Sequence, residues 1–350
     1  MSAPAPARPA RPALTTPPHL RTAAQHSDEQ RRLAGQPWLG LAGLGVVAVV
    51  FVLVAFGAGG AEASLRLLGP IATCALPVVG VIAFWWEDWP GSSLRPGWSA
   101  LTDTAVAVVA GVVFTVVAQV VVGSLDGLLV PDSTFPATMP VAGAAFVAML
   151  QLTLVSEGGS LRRLPRIAAG VAALAVSWVA AVLCYQLVAA GLVPAPELGA
   201  WLIVVGAWQA VLFVALRGWP FAQIRRTWVR VAAGNAAVLV PATLMTLALR
   251  AAGWSPAVIS AATGCIIAAA LLVAMLFDHW PPSRAGTVLV VGVLSAALYG
   301  LLAAIAGGLV FGVAEPVDWI AHAALNGVAL GVVLHVAVWR RWPLRRSPVA

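Results

Sequence analysis

The sequence predicts an all-α, polytopic integral membrane protein with about ten transmembrane helices arranged as five tandem helical hairpins. Three observations carry this prediction: the composition, ten long apolar runs, and a recurring Trp-Pro dipeptide. The chain of 350 residues is 61% hydrophobic and only 9% charged, with a mean hydropathy of +0.94. A soluble domain carries about 25% charged residues. There is too little polar surface here to coat a soluble particle, so most of the surface must face lipid.

The apolar runs are each about long enough to cross a hydrocarbon core of ~30 Å as a helix. They are continuous rather than alternating, which favours helices over barrel strands. The second run contains Pro70 and Pro77, so we expect a kink there. The runs are 37–59, 67–86, 101–123, 138–156, 167–192, 198–216, 229–250, 256–277, 286–312 and 317–338.

Three segments follow from this pattern. Residues 1–36 are rich in Pro, Ala and Arg and cannot bury enough apolar surface to order themselves, which predicts a disordered tail. Residues 37–343 form the transmembrane domain, and 344–350 form a short second tail. Four even-numbered runs begin near a proline, which is tolerated in the first turn of a helix. These prolines are Pro140, Pro196, Pro256 and Pro316.

The Trp-Pro dipeptide recurs at the ends of even-numbered runs. The copies are Trp89-Pro90, Trp219-Pro220, Trp280-Pro281 and Trp342-Pro343, and Leu164-Pro165 is interpreted as a degenerate fifth copy. The spacing is roughly that of two membrane spans plus short loops, which predicts an internal repeat of one hairpin. Trp prefers the membrane interface and Pro ends a helix, so interfacial anchoring explains the motif. A ring of corners that gates a central path, or docks a partner, remains an alternative.

The distribution of arginine predicts the orientation. All 20 basic residues are Arg, and only Arg66 and Arg250 fall outside the two tails and the loops that follow even-numbered runs. The positive-inside rule therefore places both termini and every Trp-Pro loop in the cytoplasm of a multi-pass protein of the cell (inner or plasma) membrane. The arginines lie in loops rather than on one basic face, so the high isoelectric point does not indicate a nucleic-acid partner.

The tenth run holds the strongest candidate for a substrate site. Asp318, His322 and Asn326 recur every four residues and so share one helix face. Ionisable groups inside a membrane are costly, which makes each a functional candidate. The alternative is structural: a capping Asp, a hydrogen-bonded His and an interhelical Asn. His335 lies about 220° further round the helix than His322, so it should point elsewhere.

Function is constrained mainly by what the sequence lacks. No catalytic motif, cofactor motif or metal-ligand spacing occurs, and Cys74, Cys184 and Cys265 each stand alone in an apolar run. We therefore expect no cofactor and no metal. The first hypothesis is a permease or exporter that binds a small-molecule substrate within the lipid bilayer, and a central polar cavity would favour it.

Two alternatives stay open. An accessory or scaffold subunit with a membrane-protein partner would show a tightly packed centre. A membrane-embedded enzyme acting on lipid would show a lateral opening beside Glu157 or Asp278-His279.

Overall fold

A computed structural model of the chain describes residues 35–126, 135–281 and 283–344. The predicted tails, apart from Gly35, Gln36 and Leu344, lie outside the described residues, as does Asp132, an acidic residue between the third and fourth apolar runs. Within these ranges the protein is helical and contains no strand. The main helices are α1 Trp38–Phe56, α2 Ala61–Phe84, α3 Pro96–Asp126, α4 Met139–Val155, α5 Arg166–Ala189, α6 Ala195–Ala215, α7 Thr227–Ala251, α8 Pro256–Leu276, α9 Arg284–Gly307 and α10 Pro316–Val338.

The apolar runs correspond to these helices. In the described part of the chain, nine helices are long and apolar enough to cross a membrane, and α4 is shorter. The protein is therefore compatible with membrane embedding, as predicted. Helix α2 passes through both Pro70 and Pro77 and begins six residues before the predicted run. That run was too short because it excluded Glu62 and Arg66, which form an ion pair with each other one turn apart.

The helices form an inner and an outer layer. The even-numbered helices α2, α4, α6, α8 and α10 each contact the next, and α10 contacts α2, so they make a closed ring. In the inner spans α2, α6, α8 and α10, 61–72% of the apolar window is buried, against 11–33% in the five outer spans. The odd-numbered helices therefore present their apolar side chains to the surroundings, as lipid-facing helices do.

The helix pairs differ from the predicted hairpins, which ended at the Trp-Pro corners. Helices α3, α5, α7 and α9 each pack mainly against the even-numbered helix that precedes them in the chain, and α1 packs on α10. In these four pairs, the two helices that pack most closely are connected by a corner, whereas each predicted hairpin had the corner at its end. The corner is a tight turn that returns the chain along the same inner helix, whereas the connections at the other end cross between layers.

All five inner helices end in one backbone geometry. In α10, the N–H of Trp339 donates to the carbonyl of Leu334 at 2.6 Å, and the N–H of Arg341 donates to that of His335 at 2.7 Å. The other four corners repeat these five- and six-residue hydrogen bonds. These hydrogen bonds form a wide, π-type turn. The next two residues have positive φ angles, and one further backbone hydrogen bond closes the corner. The left-handed pairs are Glu87-Asp88, Glu157-Gly158, Arg217-Gly218, Asp278-His279 and Arg340-Arg341.

This geometry corrects the interpretation of Leu164-Pro165 as the fifth copy. At the second corner, Gly159-Ser160 occupies the position that Trp-Pro holds elsewhere, and Pro165 instead precedes the first residue of α5. The corner is defined by its wide turn and left-handed pair, and Gly158 adopts its φ of 76° without steric cost. Below, the end of the bundle that carries the five corners is called the corner face, and the other end the opposite face.

Candidate functional site: a central cavity

A cavity of about 510 Å³ lies between the inner helices and is lined by all five of them. Its walls extend from the helix starts at the opposite face, near Pro196, Pro256 and Glu315, to Gly206 and Ala329. Prolines occupy the first turns of α4, α6, α8 and α10, as the sequence predicted. Among the described lining residues, none comes from the last two turns of an inner helix at the corner face. The cavity therefore occupies the half of the ring nearer the opposite face.

Small residues leave this space open. Gly143 on α4 and Gly199 on α6 line the cavity, and a Cβ atom at either position would meet no heavy atom within 4 Å. Most of the remaining wall is apolar, with Phe135 and Phe146 supplying aromatic rings. Mostly apolar walls with a few polar groups are typical of small-molecule sites.

The structure brings the predicted residues Asp318, His322 and Asn326 together on the cavity wall. The amide nitrogen of Asn326 donates to the hydroxyl of Thr73 on α2 at 2.6 Å and to the carbonyl of His322 at 2.7 Å. The imidazole of His322 lies 5.5 Å from the ring of Phe135, centroid to centroid. His335 points elsewhere, as its spacing indicated: it is buried and does not line the cavity.

A local irregularity in α10 positions His322. The turn Ile320–Ala324 is a π-helix, in addition to the π-helix at the corner end of the same helix. Such turns insert one extra residue and are frequent at functional sites, because they redirect a side chain without ending the helix. The sequence carries no clear signal for this turn.

The charge of the cavity is one-sided. Glu315 and Asp318 are the charged side chains among the described lining residues, and within the described part of the chain neither forms an ion pair. Both arginines near this face already have acidic partners. Arg66 pairs with Glu62 at 2.9 Å, and Arg250 with Glu197 at 2.8 Å.

A second polar feature lies at the corner face, where ion pairs join three inner helices. The guanidinium of Arg340 contacts buried Asp88 at 2.7 Å, which connects the ends of α10 and α2. The neighbouring Arg341 contacts Asp278 at 2.8 Å and donates to the carbonyl of Met275 at 2.8 Å, which connects α10 and α8. All four of these charged groups belong to left-handed corner residues.

Further contacts complete the circle, and the full set is called the corner belt. The imidazole of His279 contacts the carbonyl of Ala215 at 3.1 Å, which joins α8 to α6. Arg230, which follows the third corner, forms a two-pronged contact with Glu157 of the second corner. The belt closes through an exposed contact of 3.5 Å between Arg166 and Glu87. Its members are Glu87, Asp88, Glu157, Arg166, Ala215, Arg230, Met275, Asp278, His279, Arg340 and Arg341.

The belt was not predicted from the sequence, in which most of its arginines lie in loops and its acidic residues follow the ends of apolar runs. A signal was present, because the left-handed positions are acidic at the first corner and basic at the fifth. Asp103 was also missed: it is fully buried in α3 and accepts a hydrogen bond from the N–H of Gly91 at 2.8 Å. It thereby fixes the loop after the first corner.

Three polar residues inside the bundle form hydrogen bonds between helices. Gln151 on α4 accepts from Gln209 on α6 and donates to Asn235 on α7 at 2.7 Å.

Among the described residues, no group of three or more His, Cys, Asp or Glu side chains is placed to hold a metal ion. Cys74 and Cys265 are buried and Cys184 is half-buried, each as a free thiol. No family model matches the chain, and neither a curated protein nor a solved structure shows detectable similarity to it.

Proposed function

We propose that the protein is a small-molecule permease or exporter whose substrate binds in the central cavity against Asp318, His322 and Asn326. The observation that carries the proposal is the cavity itself: about 510 Å³ of space inside a ring of five helices, with its polar groups concentrated on one of them. Substrate sites of transporters lie between helices near the middle of the membrane, where irregular helical turns supply polar groups. The π-helical turn around His322 fits that description.

Transport further requires that the cavity open alternately to each side. In the conformation described, the cavity reaches the opposite face and stops short of the corner face. The corner belt holds the inner helices together at that end. Its ion pairs Asp88–Arg340 and Asp278–Arg341 would have to separate for the substrate to pass. The orientation in the membrane, with the corner face in the cytoplasm, is part of this proposal and rests on the arginine distribution.

The two other hypotheses find less support. An accessory subunit needs no cavity at its centre, and a space of this size costs packing energy. For a lipid-acting enzyme, the candidate acids would have to be available to a substrate. Glu157 is instead engaged by Arg230, and Asp278 by Arg341 and by Gln36.

Labelling of a cysteine near the inner end of the cavity tests the proposal. Ala329→Cys is made in a variant whose three native cysteines are replaced by Ala, and vesicles of both orientations receive a membrane-impermeant thiol reagent. A transporter exposes this position to each face in turn, so both preparations should react. Reaction from the opposite face alone, under all conditions, would contradict transport.

A matched pair of glycine substitutions shows whether access runs through the cavity. Gly199→Leu fills open space in the cavity, whereas Gly300→Leu adds the same group at an exposed position on outer helix α9, where a Cβ also meets nothing. Gly199→Leu should slow labelling of Ala329→Cys from the opposite face at least tenfold, and Gly300→Leu should leave it unchanged. Equal effects would mean that the reagent reaches position 329 by another path.

A further inference from the structure

We infer that the cavity recognises an amphipathic organic cation, a molecule with an apolar body and a single positively charged end. This inference rests on the proposed function in one respect, since it takes the cavity to be a binding site. It adds the chemical class of the ligand, which is argued from the walls of the cavity and from the charges around its opening.

The walls specify the apolar body. The side of the cavity formed by α4, α6 and α8 is made of Gly, Ala, Pro and aliphatic residues, together with Phe146 and two serines. Apolar surface of this kind binds apolar ligand surface and offers few hydrogen-bond partners to a sugar or a peptide. A ligand that is polar throughout would therefore lose water without compensation.

The charges specify the sign of the other end. Asp318 and Glu315 are both acidic, and within the described chain no arginine pairs with either. A cleft of one sign with low-dielectric walls concentrates ions of the opposite sign. An anionic ligand would instead meet two carboxylates, with Arg66 and Arg250 already held by their own glutamates.

The remaining polar groups of α10 agree with this choice. The amide nitrogen of Asn326 is used by Thr73 and by the backbone of His322, so the side chain offers a ligand an acceptor oxygen rather than a donor. Phe135 lies beside His322 and adds an aromatic ring, whose face attracts cations. An alkylammonium or arylphosphonium group at Asp318 would leave its apolar part along the wall of small residues.

Three probes of similar shape separate charge from size: tetraphenylphosphonium, tetraphenylborate and neutral triphenylphosphine oxide. Binding is measured by equilibrium dialysis against the full-length protein in lipid nanodiscs, with empty nanodiscs to subtract partition into lipid. The wild type should bind the phosphonium at least tenfold more tightly than the neutral probe. Tetraphenylborate should bind more weakly than either.

Asp318→Asn should lower the affinity for the phosphonium at least tenfold and leave the affinity for the neutral probe unchanged. Glu29→Gln is the charge-matched control, because it removes one negative charge at a residue that precedes α1 in the chain and belongs to neither the cavity lining nor the corner belt, and it should change nothing. If Asp318→Asn fails to fold, Glu315→Gln replaces it, since Glu315 is exposed at the opening of the cavity.

The outcomes separate this inference from the proposed function. Equal affinities for cation and neutral probe, both abolished by Gly199→Leu, would overturn the charge selectivity and leave the cavity as a binding site. A preference for tetraphenylborate would overturn it as well. No binding of any probe above that of empty nanodiscs would count against both.

Discussion

The Asp278–Arg341 ion pair of the corner belt offers a quantitative test, by way of Asp278→Asn. The substitution keeps the shape of the side chain and removes its charge. Arg341 is only 5% exposed at its side chain, and Asp278 is 16% exposed. Removal of one partner from a buried ion pair costs about 3–5 kcal/mol, because the other charge is left without compensation. Arg341 keeps the carbonyls of Met275 and Leu276, so we expect the lower end, about 3 kcal/mol.

Asp88→Asn is the matched comparison at the other ion pair of the belt. Arg340 is 46% exposed at its side chain and can regain water when Asp88 loses its charge. An ion pair with a solvent-exposed partner contributes about 0–1 kcal/mol to stability, so Asp88→Asn should cost much less stability than Asp278→Asn. The variant Asp278→Asn/Arg341→Gln should recover part of the loss, because it leaves no unpaired buried charge.

Two properties are measured for each variant. The first is thermal unfolding in nanodiscs, and the second is the rate at which Ala329→Cys, introduced into the same variant, is labelled from the corner face. If the belt acts as a gate, a loss of about 3 kcal/mol corresponds to a change of roughly 100-fold in the population of the open state. Asp278→Asn should then raise the labelling rate from the corner face far more than Asp88→Asn. Equal effects of the two substitutions, on both stability and labelling, would refute the reasoning from burial. A loss of stability without faster labelling would mean that the belt only supports the fold.

Two further predictions concern orientation and pH. Single cysteines at Ala222 and Leu344 should react with an impermeant reagent only from the cytoplasm, and one at Val310, which is 91% exposed at the opposite face, only from outside; the reverse pattern would contradict the positive-inside assignment. A proton on the imidazole of His322 would repel a cation in the cavity, and a proton on Asp318 would remove the charge that attracts it, so tetraphenylphosphonium should bind more weakly as the pH falls. His322→Ala should flatten the part of this dependence that the imidazole causes, and an unchanged profile would assign the dependence to Asp318.

Hydropathy predicted the helices well, because lipid imposes a simple requirement on every spanning segment. The predicted run 138–156 and helix α4, Met139–Val155, agree to within one residue at each end. Helix partners are a different matter: apolar residues face either lipid or another helix, and composition does not distinguish them. The two-layer arrangement and the pairing of α2 with α3 were therefore not predictable from the runs. Whether the five helix pairs descend from one duplicated unit stays a prediction.

The candidate site was predictable in part, and for a physical reason. Asp318, His322 and Asn326 are costly in lipid, and their spacing alone placed them on one face of the tenth helix. The cavity that they line is formed by residues from five helices, about half of them Gly, Ala and Pro, which carry no signal of their own. The corner belt was not predicted because its charged residues lie at helix ends, where hydrated charge is common. The left-handed backbone at pairs such as Arg340-Arg341 brings these charged side chains within contact distance.

The number of inner helices explains why the centre can stay open. Packed helices lie roughly 8–10 Å apart, so five in a ring place their axes roughly 7–8.5 Å from the common centre. A helix with its side chains has a radius of roughly 5–6 Å, so the residues that face the centre decide whether the middle is filled. Four helices at the same spacing would place their axes only roughly 5.5–7 Å from the centre, which leaves less space there. Small residues along α4, α6 and α8 therefore maintain the cavity of this protein.

This geometry predicts that glycines along the cavity respond differently to the same substitution. Gly143→Leu enters open space, so it should abolish probe binding and preserve or slightly raise stability, since Gly in a helix costs about 1 kcal/mol relative to Ala. A Cβ at Gly264, which also lines the cavity, would lie 2.7 Å from the Cδ1 of Leu325 on α10. Gly264→Leu should therefore cost about 1–3 kcal/mol by overpacking the contact between α8 and α10. Thermal unfolding of both variants in the same lipid measures the contrast, and equal melting temperatures would mean that the cavity closes around either side chain.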